Sequence, residues 1–359
     1  MITITQTPNA HNSVYRPIIF KCTSNAVATD LRVSCELYVL GSKVVTLWSE
    51  ANDGIFEFDV SSLLHSFLEF TVLNGGIGVY DLSGNVLPFY VVLTEFYNND
   101  IGLLTAYHSR TSSIYKANSL NLDFYRSNFW DYILGSYDSK FLTNAPKATK
   151  IKPYDKPQLF FITDTEDVVV NVEQTLPSGS NTNSIYTKTL TNGFGGFLLE
   201  VANSSSVRVD VWIEDVNEER LSEVRQFVLD HSGCQVYRIE WLNVLGGIDG
   251  FNFTGKDAIE STTEQSQITR YVAANHQADY HKTINYQTNT VESVQVYSEF
   301  VNQATAKWLS EIQQSKRVWW IDNGFRKAIN VTSSSQTMKQ GTNLVQVSLS
   351  FDMMPFENY

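Results

Sequence analysis

The sequence predicts a mainly β protein, made of serial β-sandwich, immunoglobulin-like or barrel modules with a few short helices. Aromatic residues make up 13% of the 359 residues, and aromatic and β-branched side chains fit the pleated, half-buried surface of a sheet. Apolar and polar residues alternate with a period of two over several segments, as they do in strands with one buried face. A chain of this length can form two or three domains with separate cores.

The first segment with strand periodicity spans residues 31–39, where apolar residues occupy every odd position. A tight turn at 40–43 leads into the apolar run 44–48, so we predict a β-hairpin. Further along, Asp59 is placed to cap a short amphipathic helix. That helix would bury the side chains that recur at helical spacing, Val60, Leu63, Leu64, Phe67 and Leu68. These elements together predict an N-terminal β-sandwich domain at residues 1–105.

Changes in composition divide the rest of the chain into four parts. We predict an irregular, aromatic-rich connection and linker at 106–157, a second β-sandwich domain at 158–258, a polar extended segment at 259–303 and a C-terminal helix-plus-strands module at 304–359. The polar segment has few apolar residues to fix a fold, so we expect an arm that neighbouring subunits order. In the last module a strand at 344–351 follows a helix. The buried face of that helix would carry Ala304, Trp308, Leu309 and Ile312.

Charge and cysteine content argue against several classes of protein. The formal net charge is −12, and binding to nucleic acid needs clusters of Lys and Arg that are missing here. Cys22, Cys35 and Cys234 lack the spacing of a disulfide framework or a zinc site, and we predict that Cys35 is a buried thiol in a strand. The N-terminal residues lack the charged and apolar regions of a signal peptide. Because no apolar run approaches the roughly 20 residues that span a bilayer, we expect no membrane contact.

Motifs that would carry catalysis are weak. Glycine-rich pieces at 75–78, 193–196 and 246–250 do not match a phosphate-binding loop, and we interpret them as turns between strands. His276 and His281 are five residues apart, a spacing that places them on no common helical or strand face, so an exposed polar segment is favoured over a metal site.

Asp164, Glu166 and Asp167 form the tightest acidic group in the sequence. A solvated loop between two strands is the favoured interpretation, with a calcium site or a glycosidase-type carboxylate pair as alternatives. We therefore assign no catalytic, cofactor-binding or metal-binding residue and no cofactor, and we expect no enzymatic activity.

A motif at residues 237–255 links a strand that ends in Leu-Asn, a Gly-Gly turn and an aromatic-rich strand that ends in Phe-x-Gly. Segments 12–20, 54–61, 141–146 and 308–351 supply four further similarities. Together these segments resemble structural proteins of tailed-bacteriophage virions, namely the tail hub, distal-tail or baseplate-like proteins of phages that infect Bacteroidota and related bacteria. The similarity extends over most of the chain.

The resemblance implies a structural component of the virion tail that forms a homo-oligomeric ring and connects other tail or neck proteins. An acidic inner surface would let enclosed DNA pass without binding it. The position in the virion and the ring symmetry stay open.

The alternative function is a receptor- or carbohydrate-binding tail protein whose exposed aromatic rings stack on a host glycan. The candidate rings are Trp48, Trp130, Trp212, Trp319 and Trp320. Trp212 and Trp241 lie in alternating segments and are predicted to be buried, which favours the structural role. A tail-associated glycan hydrolase is a third alternative, and it would need a cleft with paired carboxylates.

Overall fold

The computed structural model confirms that the chain is mainly β. The residues it describes are 1–14, 16–26, 30–50, 54–68, 71–98, 104–118, 129–191, 193–201, 205–233, 235–271, 283–338 and 343–353. In chain order the strands are β1 (Ile2–Gln6), β2 (His11–Ser13), β3 (Ile19–Ser24), β4 (Arg32–Val39), β5 (Ser42–Glu50), β6 (Ile55–Asp59), β7 (Gly78–Asp81), β8 (Val86–Asn98), β9 (Leu104–Thr111), β10 (Tyr115–Asn118), β11 (Ile133–Leu134), β12 (Ala148–Ile151), β13 (Gln158–Thr163), β14 (Asp167–Thr175), β15 (Asn181–Thr189), β16 (Phe194–Leu198), β17 (Arg208–Glu214), β18 (Arg225–Leu229), β19 (Tyr237–Leu242), β20 (Ile248–Phe253), β21 (Gly255–Thr269), β22 (Thr283–Asn302), β23 (Val318–Asp322), β24 (Phe325–Met338) and β25 (Leu344–Met353). The helices are α1 (Ser61–His65) and α2 (Gln303–Leu309), with short 3-10 helices at Ser83–Asn85, Phe129–Tyr132 and Ser310–Gln314.

The chain divides into two compact units, each made of several chain segments. The first unit contains residues 1–143, 154–226 and 244–248, and the second contains 144–153, 227–243 and 249–359. The five-part division proposed from composition stays a prediction about domains.

The first unit begins with two sheets that share one core. One sheet has the order β1-β3-β6, and the other has the order β2-β10-β8-β4-β5, with β9 also paired to β8. Phe20 and Phe56 from the first sheet and Leu37 and Phe89 from the second lie in the same buried cluster. The odd residues of β4 face that cluster, and Cys35 among them is fully buried. The predicted strand, its buried thiol and the sandwich packing are thus confirmed.

The predicted helix is shorter than its apolar spacing suggested. α1 is a single turn that ends at His65, and Leu64 is its buried side chain. Asp59 accepts a hydrogen bond from the backbone N–H of Ser61 at 2.9 Å, although the residue at the cap position is Val60. Phe67 lies beyond the helix and is 41% exposed, so the expectation that it packs on the helical face was wrong.

The first unit also holds a sheet of order β11-β13-β16-β7 and the strand order β17-β14-β15. Gly195 and Gly196, which we interpreted as turn residues, lie inside the buried strand β16. A Cβ on Gly195 would stand 2.4 Å from the ring of Phe161, and one on Gly196 would stand 2.9 Å from Leu73. Glycine is therefore needed in this strand because neighbouring side chains fill the space above it.

The second unit is built around a seven-stranded sheet of order β20-β19-β23-β24-β25-β22-β21. Its core contains Trp241, Phe253, Trp308 and Phe351. The side chain of Asn302 caps α2 by accepting a hydrogen bond from the backbone N–H of Thr305 at 2.8 Å. The helix buries its Ala306, Trp308 and Leu309, with Ile312 of the following turn. Ala304, which we predicted on the buried face of this helix, is exposed.

Candidate functional site

The outermost pair of strands in the second unit runs past the sheet to which it belongs. β22 pairs with β25 as far as Glu292, which lies opposite Met353. β22 and β21 stay paired well beyond that point, to Thr283 opposite Thr269. Within the described chain, residues 262–269 and 283–291 therefore pair with one another alone. We call these two segments the polar ribbon.

The described side chains on both faces of the polar ribbon are exposed to solvent or half-buried. Residues 265–269 are all exposed, with Ile268 at 51%, and Tyr286 on the opposite strand is 66% exposed. Across the ribbon, Asn285 Nδ2 donates a hydrogen bond to Gln265 Oε1 at 2.9 Å, and Ile268 lies opposite Ile284. A two-stranded ribbon without a buried face is at best marginally stable in water. Pairing with a further strand would therefore stabilise the polar ribbon.

The edge of the polar ribbon lacks the Lys and Pro residues that often prevent edge strands from pairing with other chains, although its register shifts between Ser266 and Gln267. β21 is the last strand in its sheet, and edge strands commonly carry Lys or Pro to block such pairing. Residues 262–269 and 283–291 contain neither, and Glu264 is the single charged residue among them. By contrast, 18% of the whole chain is charged. The composition and the open edge both favour contact with another polypeptide.

The acidic group of Asp164, Glu166 and Asp167 lies in the first unit, where two of its carboxylates accept hydrogen bonds from other side chains. Asp164 accepts a hydrogen bond from Nε2 of His11 at 2.9 Å, and Asp167 accepts one from the hydroxyl of Thr189 at 2.5 Å. Burial lowers the pKa of His11, and Asp164 partly opposes that effect. Across the described part of the chain, no three His, Cys, Asp or Glu side chains are grouped so that they could hold a metal ion.

The cysteines that the structure describes are poor nucleophiles. Cys22 and Cys35 are fully buried, and burial raises the pKa of each thiol to about 12. A thiol must ionise to attack or to bind a metal, so neither is suited to catalysis at neutral pH. Cys234, His276 and His281 lie outside the described residues.

The predicted aromatic candidates are spread over several strands. Trp48 on β5 is 54% exposed and packs beside Phe96, with ring centroids 5.0 Å apart. Trp241 is fully buried as predicted. Trp212, which was also predicted to be buried, is half-buried, and its Nε1 donates a hydrogen bond to Glu214 at 2.7 Å. Trp319 and Trp320 are also half-buried, and the side chain of Trp130 lies outside the described residues.

Comparisons with known proteins do not assign the chain to a family. No protein-family model matches the chain, and no curated protein matches it. A chain from the tail of an empty GTA particle, refined with C6 symmetry, is similar at 12% identity with a TM-score of 0.23, over 35% of this chain and 96% of that one. Calcium-binding domain CBD12 of CALX1.1 is similar at 9% identity with a TM-score of 0.20, over 60% of this chain and 79% of that one. Scores this low do not establish a shared fold.

None of the described helices has the length and the apolar character that a bilayer span requires.

Proposed function

We propose that this chain is a non-enzymatic structural subunit of a phage-type virion tail, and that its copies assemble into a homo-oligomeric ring. In this role it is a hub, distal-tail or baseplate-like adaptor that connects other tail or neck proteins, in phages of Bacteroidota and related bacteria. The polar ribbon is the observation that carries the assembly role. The virion assignment is supported by the resemblance of segments 12–20, 54–61, 141–146, 237–255 and 308–351 to tail proteins.

In the proposed ring, the ribbon of each copy lies against a different surface of the next copy, so the contact runs head to tail. Strands that project past their own sheet can pair with an edge strand of another chain through backbone hydrogen bonds. Side chains that are polar and nearly uncharged keep a free copy soluble while leaving that edge accessible. Repeating one such contact around a rotation axis closes a ring.

The net charge of −12 suits a ring that encloses DNA without holding it. An acidic inner surface repels the phosphate backbone, so DNA would slide past without sticking. Titration of the protein with duplex DNA at low salt is expected to show no binding, whereas tight binding contradicts this part of the proposal.

The assembly role is tested by the mass of the purified protein in light scattering, followed by negative-stain imaging of the same peak. We expect a closed ring of several copies. A variant in which an Asn-Gly turn replaces residues 264–289 removes most of the polar ribbon but keeps the strand pairs inside the sheet. This variant should keep its circular dichroism spectrum and run as a single copy.

Two outcomes contradict the proposal. A parent protein that stays a monomer at high concentration contradicts self-assembly, and a ring that survives removal of residues 264–289 contradicts the role of the ribbon. The matched control is Ile185→Ser on the edge strand β15, where the side chain is 64% exposed. This control should leave the mass of the ring unchanged, whereas Ile268→Ser in the ribbon should weaken assembly.

A further inference from the structure

A cleft of about 260 Å³ opens within the second unit. Its apolar wall is formed by Phe251, Val301 and Trp308, with Phe300 beside them. The rings of Phe251 and Trp308 meet edge to face, with centroids 6.1 Å apart. Trp308 is held in place because its Nε1 donates a hydrogen bond to Asp249 at 2.7 Å. The wall is therefore a rigid aromatic surface.

The charged groups of the cleft balance one another. Nζ of Lys150 lies 3.1 Å from the carboxylate of Glu299, and Nζ of Lys152 lies 3.0 Å from that of Asp230. The backbone N–H of Ser232, together with Lys152, lowers the pKa of Asp230 to about 2. Asp230 is thus ionised, and each of the two carboxylates has a lysine beside it. Such a site has no excess charge with which to attract an ionic ligand.

A β-bulge brings two of the lining side chains into the cleft. The register of β22 against β25 shifts between Tyr297 and Phe300. At this point the buried hydroxyl of Ser298 accepts a hydrogen bond from the backbone N–H of Val347 at 2.9 Å, which replaces the missing ladder bond. Bulges of this kind redirect side chains near binding sites, and here Glu299 and Phe300 turn outward to line the cleft. The side-chain hydrogen bond makes the bulge a fixed part of the fold.

Uncharged hydrogen-bonding groups complete the lining, namely Thr149, Asn252, Thr254, Asn302 and Thr305. Small-molecule sites combine an apolar wall with a few convergent polar groups, and pockets for drug-sized ligands occupy about 300–1,000 Å³. This cleft is slightly smaller, so it suits a ligand of one ring. A ligand with one apolar face and several neutral hydroxyls matches both sides of the cleft.

We propose that the cleft binds one neutral pyranose unit of a glycan. The apolar C–H face of the sugar lies against Phe251 and Phe300, and its hydroxyls exchange hydrogen bonds with the threonine and asparagine side chains and with Glu299. This inference rests on the cleft alone and does not depend on the ring proposed above. A hydrophobic side chain from a protein partner is the competing occupant, which the experiment separates from a sugar.

Saturation-transfer NMR on the full-length protein tests the proposal. The probes are methyl glycosides of glucose, galactose, mannose, rhamnose and N-acetylglucosamine, with glucuronic acid and glucosamine as charged counterparts and N-acetylphenylalaninamide as a mimic of a protein side chain. We expect at least one neutral glycoside to bind, and its charged counterparts to bind at least about tenfold more weakly. If no glycoside binds, or if the phenylalanine amide competes better than any sugar, the proposal is overturned.

Three variants locate the binding in this cleft. Phe300 is 43% exposed, so Phe300→Ala should fold normally and weaken sugar binding by about tenfold. Glu299→Gln leaves Lys150 without its carboxylate and should shift selectivity toward glucuronic acid. The matched control is Phe325→Ala, since Phe325 is 73% exposed and does not line the cleft. Sugar binding that is unchanged by Phe300→Ala, or equally reduced by Phe325→Ala, rules out this site.

Discussion

Hydrogen exchange of the free protein should distinguish the polar ribbon sharply from the sheet to which it is attached. The reference is β25, which has paired strands on both sides and buries Val345, Val347, Leu349 and Phe351. Burial of each such side chain stabilises the folded protein by about 1.5–3 kcal/mol, which makes roughly 6–12 kcal/mol for the four. Cross-strand pairs in the ribbon contribute only about 0.2–1 kcal/mol each. Ribbon amides should therefore open with a free energy near zero, and β25 amides at close to the global value.

The assay is hydrogen exchange with mass spectrometry on peptides from 262–269, 283–291 and 344–351, at protein concentrations that give single copies and rings. In single copies the two ribbon peptides should exchange within about tenfold of the rate for an unfolded chain, while the β25 peptide exchanges at least about a thousandfold more slowly. In the ring the ribbon peptides should slow by about thirtyfold or more, equivalent to about 2 kcal/mol. A control peptide from 181–189, on the edge strand β15, should not change. Ribbon amides that are as protected as β25 in single copies, or that stay unprotected in the ring, refute the reasoning.

Three further predictions concern the first unit. Cys22 and Cys35 should not react with a thiol reagent in a Cys234→Ser variant until the chain is unfolded, because burial raises the pKa of each thiol to about 12; rapid labelling of the native protein contradicts this. Burial lowers the folded-state pKa of His11 from 6.5, so the unfolded chain binds the proton more readily and stability falls as the pH drops below 6.5. Urea midpoints at pH 6.5 and about pH 5.5 should therefore differ less in His11→Asn than in the parent. A Cβ on Gly193 would stand 2.1 Å from a backbone carbonyl oxygen, at a φ of +71°, so Gly193→Ala should cost about 3 kcal/mol or more in urea unfolding.

Local periodicity predicts strands well where one face is buried. The alternation at 31–39 and 344–351 corresponds to β4 and β25, since each odd side chain there packs into a core. Gly195 was misread because the need for glycine comes from the ring of Phe161 on another strand. Apolar spacing likewise predicted a helix that extends to Leu68, whereas α1 ends at His65.

The two surfaces with a proposed role were visible in the sequence to different degrees. Composition predicted a polar extended segment, but not the register that pairs 262–269 with 283–291. The cleft had no local signal, because its lining comes from separate segments near residues 150, 230, 252 and 300. A site assembled from distant segments is specified by the fold and not by any short motif.

The distribution of charge connects the acidic composition with the proposed assembly. Copies that each carry a net charge of −12 repel one another, and like charges brought together at a contact would add to that cost. The polar ribbon holds a single charged residue, Glu264, so two copies can meet there without bringing acidic groups together. Because its side chains are mostly polar, the ribbon does not give the free copy a large hydrophobic patch. The affinity between copies would then come mainly from backbone hydrogen bonds at the edge strand. An acidic chain that forms rings needs a contact surface of this kind, and among the described residues the polar ribbon combines low charge, two solvent-facing sides and an open edge.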